Sequence, residues 1–335
     1  MAKSKVILDV DSGIDDIVAI LVALRSRNIS VVGISTVNGN VKPSIGALNV
    51  LKVLEIEDRL DIPVFQGADR SLKNRFLSSN VKRRRDVSHG KRGLGNLHID
   101  IKRMNDLWVR TTPDELKGTH SFSDFVEFIL RRYPEENVSI IATGPLTNIA
   151  TMVMKRQAIQ SRIKEISIMG GSFGSNNRNT FGNVTGSTEF NFYCDPDAAR
   201  IVLSTKMHPM IRIVGLDVGL SCECSISKDL VNSICSDSCP NKSRLEASNF
   251  LVSLLNYKLE QNTAVHLHDV LAVFMLEKPS LFRFTKGMVD VITLEGSARG
   301  QCIFNEDTIS GHVLVAVFVS ESRFKSLLVN RLKRR

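Results

Sequence analysis

Apolar residues in this chain come in compact blocks that alternate with polar junctions. Val6, Ile7 and Leu8 form a short run ending in Asp9, and a helical run from Ile17 to Leu24 follows Asp11, Gly13, Asp15 and Asp16. That order reads as a buried strand, a tight turn and a helix start. Residues 29–37 are a second near-continuous apolar strand. It ends at Asn38, Gly39 and Asn40, before a helix from about Pro43 to Ile56 and a short strand near Val64. Further along, a helix is expected over Phe122–Arg132, strands over Val138–Ala142 and Ile166–Met169, and a helix after Asp195-Pro196 to about Leu203. A strand over Ile211–Val214, a long helix over about Glu246–Glu260, an apolar helix over Val270–Met275, a last strand over His312–Val319 and a closing basic helix complete the pattern.

Strands buried on both faces and alternating with helices predict an α/β fold. The sheet is expected to be open, mostly parallel and Rossmann-like, with helices on both faces. Ligands in such sheets sit beyond the carboxyl ends of the strands, which puts the Asp9–Asp16 junction and Asn40 on one edge. No internal repeat or linker divides the chain, so residues 1–335 are expected to form a single domain. Polar stretches near 70–120 and 221–265 are expected to be irregular insertions.

Composition adds little beyond a soluble globular class. The net charge of +9 is concentrated in Lys82–Arg85 and in Arg331, Lys333, Arg334 and Arg335. These runs lack interleaved aromatics and any zinc-finger or helix-turn-helix pattern, so they read as a solvated loop and tail and not as a nucleic-acid surface. No stretch approaches the ~18 apolar residues of a membrane span, and the start of the chain lacks a signal-peptide core. A cytoplasmic protein with no membrane or nucleic-acid partner is expected. Its six cysteines are then expected to be reduced. Cys222, Cys224, Cys235 and Cys239 cluster, but their spacing matches no common zinc motif and reads as free thiols or an opportunistic disulfide.

The chemistry is concentrated at residues 9–16, where four carboxylates fall within eight positions on the end of an apolar strand. Such a group repels itself, and a cation relieves the repulsion. All-oxygen ligands favour a hard cation, Ca²⁺ or Mg²⁺. Asn40, Asn183, Glu189 and Asn191 are hydrogen-bonding groups on loops and suit a polyhydroxylated ligand. Gly-rich phosphate cradles are absent. A metal-bound water beside a carboxylate base would attack a sugar carbon or a phosphorus, and the residues alone leave both open.

Eight segments carry a resemblance to a known family. They are DVDSGIDD (9–16), TVNGN (36–40), FQGADRSL (65–72), HGKRGLG (89–95), TGPLTNIA (143–150), IMGGSF (168–173), GNVTGSTEFNFYCDPDAA (182–199) and HDVLAV (268–273). In this order they resemble the inosine–uridine-preferring nucleoside hydrolases, calcium-dependent N-ribohydrolases. The resemblance implies hydrolysis of ribonucleosides to ribose and a free base, and a homodimer or homotetramer. It implies that Asp11, Asp16, Asp269 and the Thr143 carbonyl hold Ca²⁺, with Asp11 also the general base. Asp15, Asn40, Met169, Asn183, Glu189, Asn191 and Asp269 would meet the ribose, Asp9 would shape the turn, and His268 would be the general acid.

The chain departs from the family's pattern at Ser12, where proline is usual, and at Arg92, where aspartate is common. Cys302 and Asn305 stand where threonine and aspartate are more usual. The loops at 70–92 and 221–265 are expected to set base preference. His266 and Tyr257 are candidates for stacking on the base, although Tyr257 reads first as a buried helix residue. A metal-dependent phosphohydrolase, or a ribosyl-binding protein without turnover, are the competing readings.

Overall fold

The computed structural model describes residues 3–73, 87–95, 97–119, 121–134, 138–155, 157–174, 182–206, 210–220, 224–235, 242–261 and 265–333. The basic run at 82–85, Cys222, Cys239, Arg334 and Arg335, and the side chain of Cys235, lie outside what is described.

Strand β1 (Ser4–Val10) occupies the centre of a nine-stranded sheet. It pairs in parallel with β2 (Ile29–Thr36) on one side and with β4 (Val138–Ala142) on the other. Beyond β2 lies β3 (Val64–Gln66); beyond β4 come β5 (Ile163–Met169), β6 (Met210–Val214) and β11 (Val313–Val319), all parallel. The chain therefore moves outward one way through β2 and β3 and the other way from β4 onward. The helices after β1 and β4 fall on opposite faces, which leaves a crevice between the two strand ends.

The core follows from the period-2 geometry of β1. Val6 and Leu8 join the cluster on one face and Ile7 the cluster on the other. The first face is covered by the helices Ile14–Leu24, Pro43–Ile56, His268–Glu277 and Glu321–Leu332, the second by Phe122–Arg132, Thr147–Lys155 and Pro196–Ser204. Ile14–Leu24 is apolar almost all round because it lies between the sheet and a second layer of helices. His268–Glu277 is also buried along nearly its whole length, and Ser167 Oγ on β5 donates to the Ala272 carbonyl at 2.7 Å.

Two strands were not legible in the apolar pattern. β9 (Phe282–Val291) runs antiparallel to β11, and β10 (Cys302–Glu306) antiparallel to β9, extending the sheet at its far edge. They are half-exposed, and Lys286, Asp290 and Asn305 interrupt the hydrophobic signal. The stretches expected to be irregular contain the helices Ile101–Thr111 and Lys228–Cys235, and the long helix expected over Glu246–Glu260 is found as Lys242–Gln261. In the second stretch the short strands β7 (Ser225–Ile226) and β8 (Val265–His266) pair with each other. Among the described residues no helix is long and apolar enough to cross a membrane.

The charge of the C-terminal tail is not all solvated. Arg331 is buried and pairs with the buried Glu277, which also accepts from Ser26 Oγ at 2.7 Å. Arg25 clamps the same helix by donating to the Leu332 carbonyl at 2.6 Å while pairing with Glu57. Removing one member of a buried pair strands the other. Arg331→Met should therefore lower the unfolding free energy by about 3–5 kcal/mol, and the double change with Glu277→Gln should recover much of it, as read from urea unfolding midpoints.

Candidate active site

The crevice between β1 and β4 is lined by acids that the strand ends deliver. Asp11 follows β1 directly, and the chain turns at Ser12 in the left-handed region, φ +57°. Asp16, in the first turn of the next helix, ties three backbone segments together. Its carboxylate accepts from Gly13 N at 2.8 Å, from Asp11 N at 3.3 Å and from Thr143 Oγ1 at 2.6 Å. Thr143 sits at the end of β4, where its own N–H donates to the Asp9 carbonyl at 2.9 Å. Asp269 arrives from far along the chain, in the first turn of the helix His268–Glu277. Carboxylate oxygens of Asp15, Asp16 and Asp269 all lie within 4.8 Å of one another.

Asp11 lies beside Asp16 but outside that trio. Its two oxygens accept from Asn40, the backbone N–H at 2.8 Å and the side-chain amide at 2.9 Å. Gly39 makes this approach possible: a Cβ there would stand 1.9 Å from Asp11 Oδ2. Asp9 points away from the hollow. It accepts from Ser35 Oγ at 2.6 Å and Asn148 Nδ2 at 2.8 Å, and so helps to hold β1, β2 and the start of the helix Thr147–Lys155 in register.

Burial dominates the electrostatics. It pushes Asp11, Asp16 and Asp269 above the usual carboxylate range, and charges on neighbouring acids push the same way. Asp15 is the exception. Burial raises it too, but its attraction to Lys258 and to the protonated forms of His89 and His268 outweighs burial and brings it below its ordinary value.

Above the acids lies a cavity of about 330 Å³, lined by Asp15, Asn40, Thr143, Met169, Asn183, Glu189, Asn191 and Asp269. Ser88, His89, Lys258, His266 and His268 line the same space, and His89 Nδ1 lies 3.4 Å from Asp15 Oδ1. Every residue expected at the sugar therefore borders one space. Two of them also have structural duties. Glu189 caps a short helix, accepting from Asn191 N at 2.8 Å, Gly171 N at 3.0 Å and Phe192 N at 3.2 Å. Asn191 donates to the Thr143 carbonyl at 2.9 Å and the Met169 carbonyl at 3.2 Å. A carbonyl oxygen keeps a second lone pair, so Thr143 O can still serve a ligand.

The donor set suits a hard divalent cation. It is all oxygen, Asp16 and Asp269 are buried, and Asp15 Oδ1 accepts no hydrogen bond, with His89 Nδ1 3.4 Å away. Uncompensated carboxylates held this close are costly, and a cation among them removes the cost.

The comparisons with known proteins agree with this geometry. A family profile described as inosine-uridine preferring nucleoside hydrolase matches residues 6–326. The chain belongs to that family. It is 31% identical to uridine nucleosidase 1 of Arabidopsis thaliana over 313 residues, covering 93% of this chain and 81% of that one. It is 30% identical to the pyrimidine-specific ribonucleoside hydrolase RihA of Escherichia coli over 98% of both. Among solved structures, the plant nucleoside hydrolase PpNRh1 superposes with a TM-score of 0.80 at 30% identity, covering 99% of both chains.

Within this nucleoside hydrolase, three lining residues were not named as site residues, although they lie in the stretches 70–92 and 221–265 expected to set base preference. Ser88 and His89 lie in a short turn, and Lys258 is on the helix Lys242–Gln261. The glycines around His89 were the one available signal; Lys258 looks like any helix-surface lysine. His266 lines the cavity, stacked on His268 with ring centroids 5.7 Å apart, and contacts the Gly219 carbonyl through Nδ1 at 3.1 Å. Tyr257 instead packs over Gly95, away from the cavity lining. Of the departures from the family pattern, Ser12 adopts a backbone conformation that proline's ring forbids. Arg92 is exposed, and its carbonyl accepts from Asn49 at 2.7 Å. Cys302 is a free thiol.

The buried acids make a prediction about pH. Burial raises Asp9 from 3.8 to about 7 and Glu189 from 4.5 to about 7, against the hydrogen bonds that each accepts. Between those values the folded state holds protons that the unfolded state has released, so stability falls as pH rises through the window. In chelator, the urea midpoint should decline from about pH 5 to about pH 7.5, and a saturating divalent cation should flatten that decline.

Proposed function

We propose that this protein hydrolyses the N-glycosidic bond of ribonucleosides, releasing ribose and a free base, with Ca²⁺ held by Asp11, Asp16, Asp269 and the Thr143 carbonyl. The observation that supports the reading is the convergence of Asp15, Asp16 and Asp269, with Asp11 bonded through its N–H to Asp16, at the point where strand order reverses. Bound calcium would orient the attacking water and make it more acidic.

The chain's own groups supply the rest. Asp11 takes the proton of that water, its carboxylate oriented by the Asn40 N–H and side-chain amide. Asp15, Asn40, Asn183, Glu189 and Asn191 hold the ribose, with Met169 against it. As the C1′–N bond breaks, positive charge builds on the sugar, and the fixed carboxylates stabilise it away from water. His268 gives a proton to the departing base. Burial pushes its pKa down to about 4 while Asp15 pulls it up, so the imidazole starts neutral. Negative charge gathering on the base then favours the protonated ring.

Family resemblance supports reading the protein as a cytoplasmic homodimer or homotetramer built from one continuous domain.

The test is release of reducing sugar from uridine, cytidine, inosine and adenosine. Turnover should vanish in chelator and return with Ca²⁺. Release of phosphate from phosphomonoesters instead would move the protein to another class, and tight nucleoside binding without product would make it a binder. Asp11→Ala should lower kcat by about 10²–10⁴-fold; near-normal turnover by that variant would remove Asp11 from the role of base.

A further inference from the structure

His268 has one ring nitrogen to offer a ligand. Its Nδ1 is buried and, among the described residues, meets no hydrogen-bond partner. The backbone of Gly219 closes over that edge: a Cβ at Gly219 would stand 2.2 Å from Nδ1 and 3.0 Å from Cε1. Only a residue without a side chain permits such an approach. His268 lines the cavity, so Nε2 is the nitrogen left to face what binds there.

The face of the same ring is held by His266, stacked on it with the two planes 9° apart. His266 is tied in turn to Gly219, whose carbonyl lies 3.1 Å from its Nδ1. A carbonyl only accepts, so that nitrogen carries the proton of the bond. One backbone residue thus governs both rings, the edge of His268 through its Cα and the plane of His266 through its oxygen. Gly219 has little room to retreat. It ends the helix Leu216–Gly219, whose buried Leu216 donates its N–H to the Gly171 carbonyl at 3.0 Å. Asp217 in that helix accepts from Phe173 N at 2.7 Å and Gly174 N at 3.0 Å. His268 opens a helix buried along nearly its whole length, so its Cα is fixed as well. Only rotation of the side chain can answer a change at Gly219.

We propose that Gly219 and His266 are positioning residues for the proton donor, holding the His268 ring so that Nε2 faces the departing base. This inference rests on the nucleoside hydrolase reading above and on no particular base. When the C1′–N bond breaks, its electron pair passes to the base. The Nε2 proton of the protonated ring moves to the base, the N–H pair stays on Nε2 and the ring becomes neutral. The water oxygen bonds to C1′ and gives its proton to Asp11. Transfer from Nε2 needs a short, aligned hydrogen bond. A ring turned aside by a side chain at 219, or left unsupported by loss of His266, keeps its chemistry and loses that alignment.

The test uses the calcium-loaded full chain on two substrates: the nucleoside that the wild type cleaves fastest, and 4-nitrophenyl β-D-ribofuranoside, whose leaving group departs as a stabilised phenolate without a proton. Gly219→Ala should lower kcat on the nucleoside by about 10–100-fold, a large part of what a placed general acid contributes, and lower it far less on the nitrophenyl riboside. In a His268→Ala background the same change should cost nothing more on the nucleoside, because the two substitutions remove one function. His266→Ala should show a smaller loss of the same kind, and His266→Phe, which restores a flat neighbour, should recover part of it. If Gly219→Ala does not fold, as judged by its urea midpoint, the His266 pair decides. Equal losses on both substrates, a full Gly219→Ala effect without His268, or no loss in a folded Gly219→Ala protein would overturn the assignment. Failure of the wild type to cleave any nucleoside would instead overturn the hydrolase reading itself.

Discussion

Asp16 binds the site together through its hydrogen bonds to Gly13, Asp11 and Thr143, which join the end of β1, the start of the following helix and the end of β4. A carboxylate so placed has lost its water, and the acids around it have lost theirs. Each pushes the others toward protonation. The rest of the edge is organised around that cost. N–H groups of Gly13 and Asn40 point at the acids, two helices begin there so that their positive ends face negative charge, and the hollow between Asp15, Asp16 and Asp269 has the oxygen lining a divalent ion requires.

The sheet supplies the rigidity this arrangement needs. Buried strands on both sides of β1 fix where its end lies, and the reversal of strand order opens the space above it. Asp269 reaches the same space because its helix is buried along nearly its whole length and cannot shift without disturbing the core. A site of this kind is preorganised by packing far from the chemistry, as in the Glu277–Arg331 pair that fastens the last helix.

Much of this was legible in the amino-acid order. The parallel core could be read because strands buried on both faces leave uninterrupted apolar runs. The first four acids could be read because they crowd into one junction. Asp269 needed the family resemblance, since nothing local in HisAspVal announces a partner at a distance, whereas Asn183, Glu189 and Asn191 stood out as hydrogen-bonding groups on a loop without showing what they converge on. β9 and β10 were hidden by their half-exposed faces, and Arg331 by its place in a basic tail. Ser88, His89 and Lys258 were hidden for another reason: they meet only because the helix Lys242–Gln261 crosses the turn at residues 87–89, a contact between segments 170 residues apart.

The two walls of the cavity come from different kinds of structure. Strand ends and buried helix starts carry the acids and His268, whereas the turn at 87–89 and the helix Lys242–Gln261 carry Ser88, His89 and Lys258. Exchanges in the turn or the outer helix can therefore accumulate over generations without disturbing the carboxylates beneath. A lineage built on this architecture can change its diet of nucleobases while inheriting the same bond-breaking apparatus, so relatives with different base preferences need differ by little more than this outer layer.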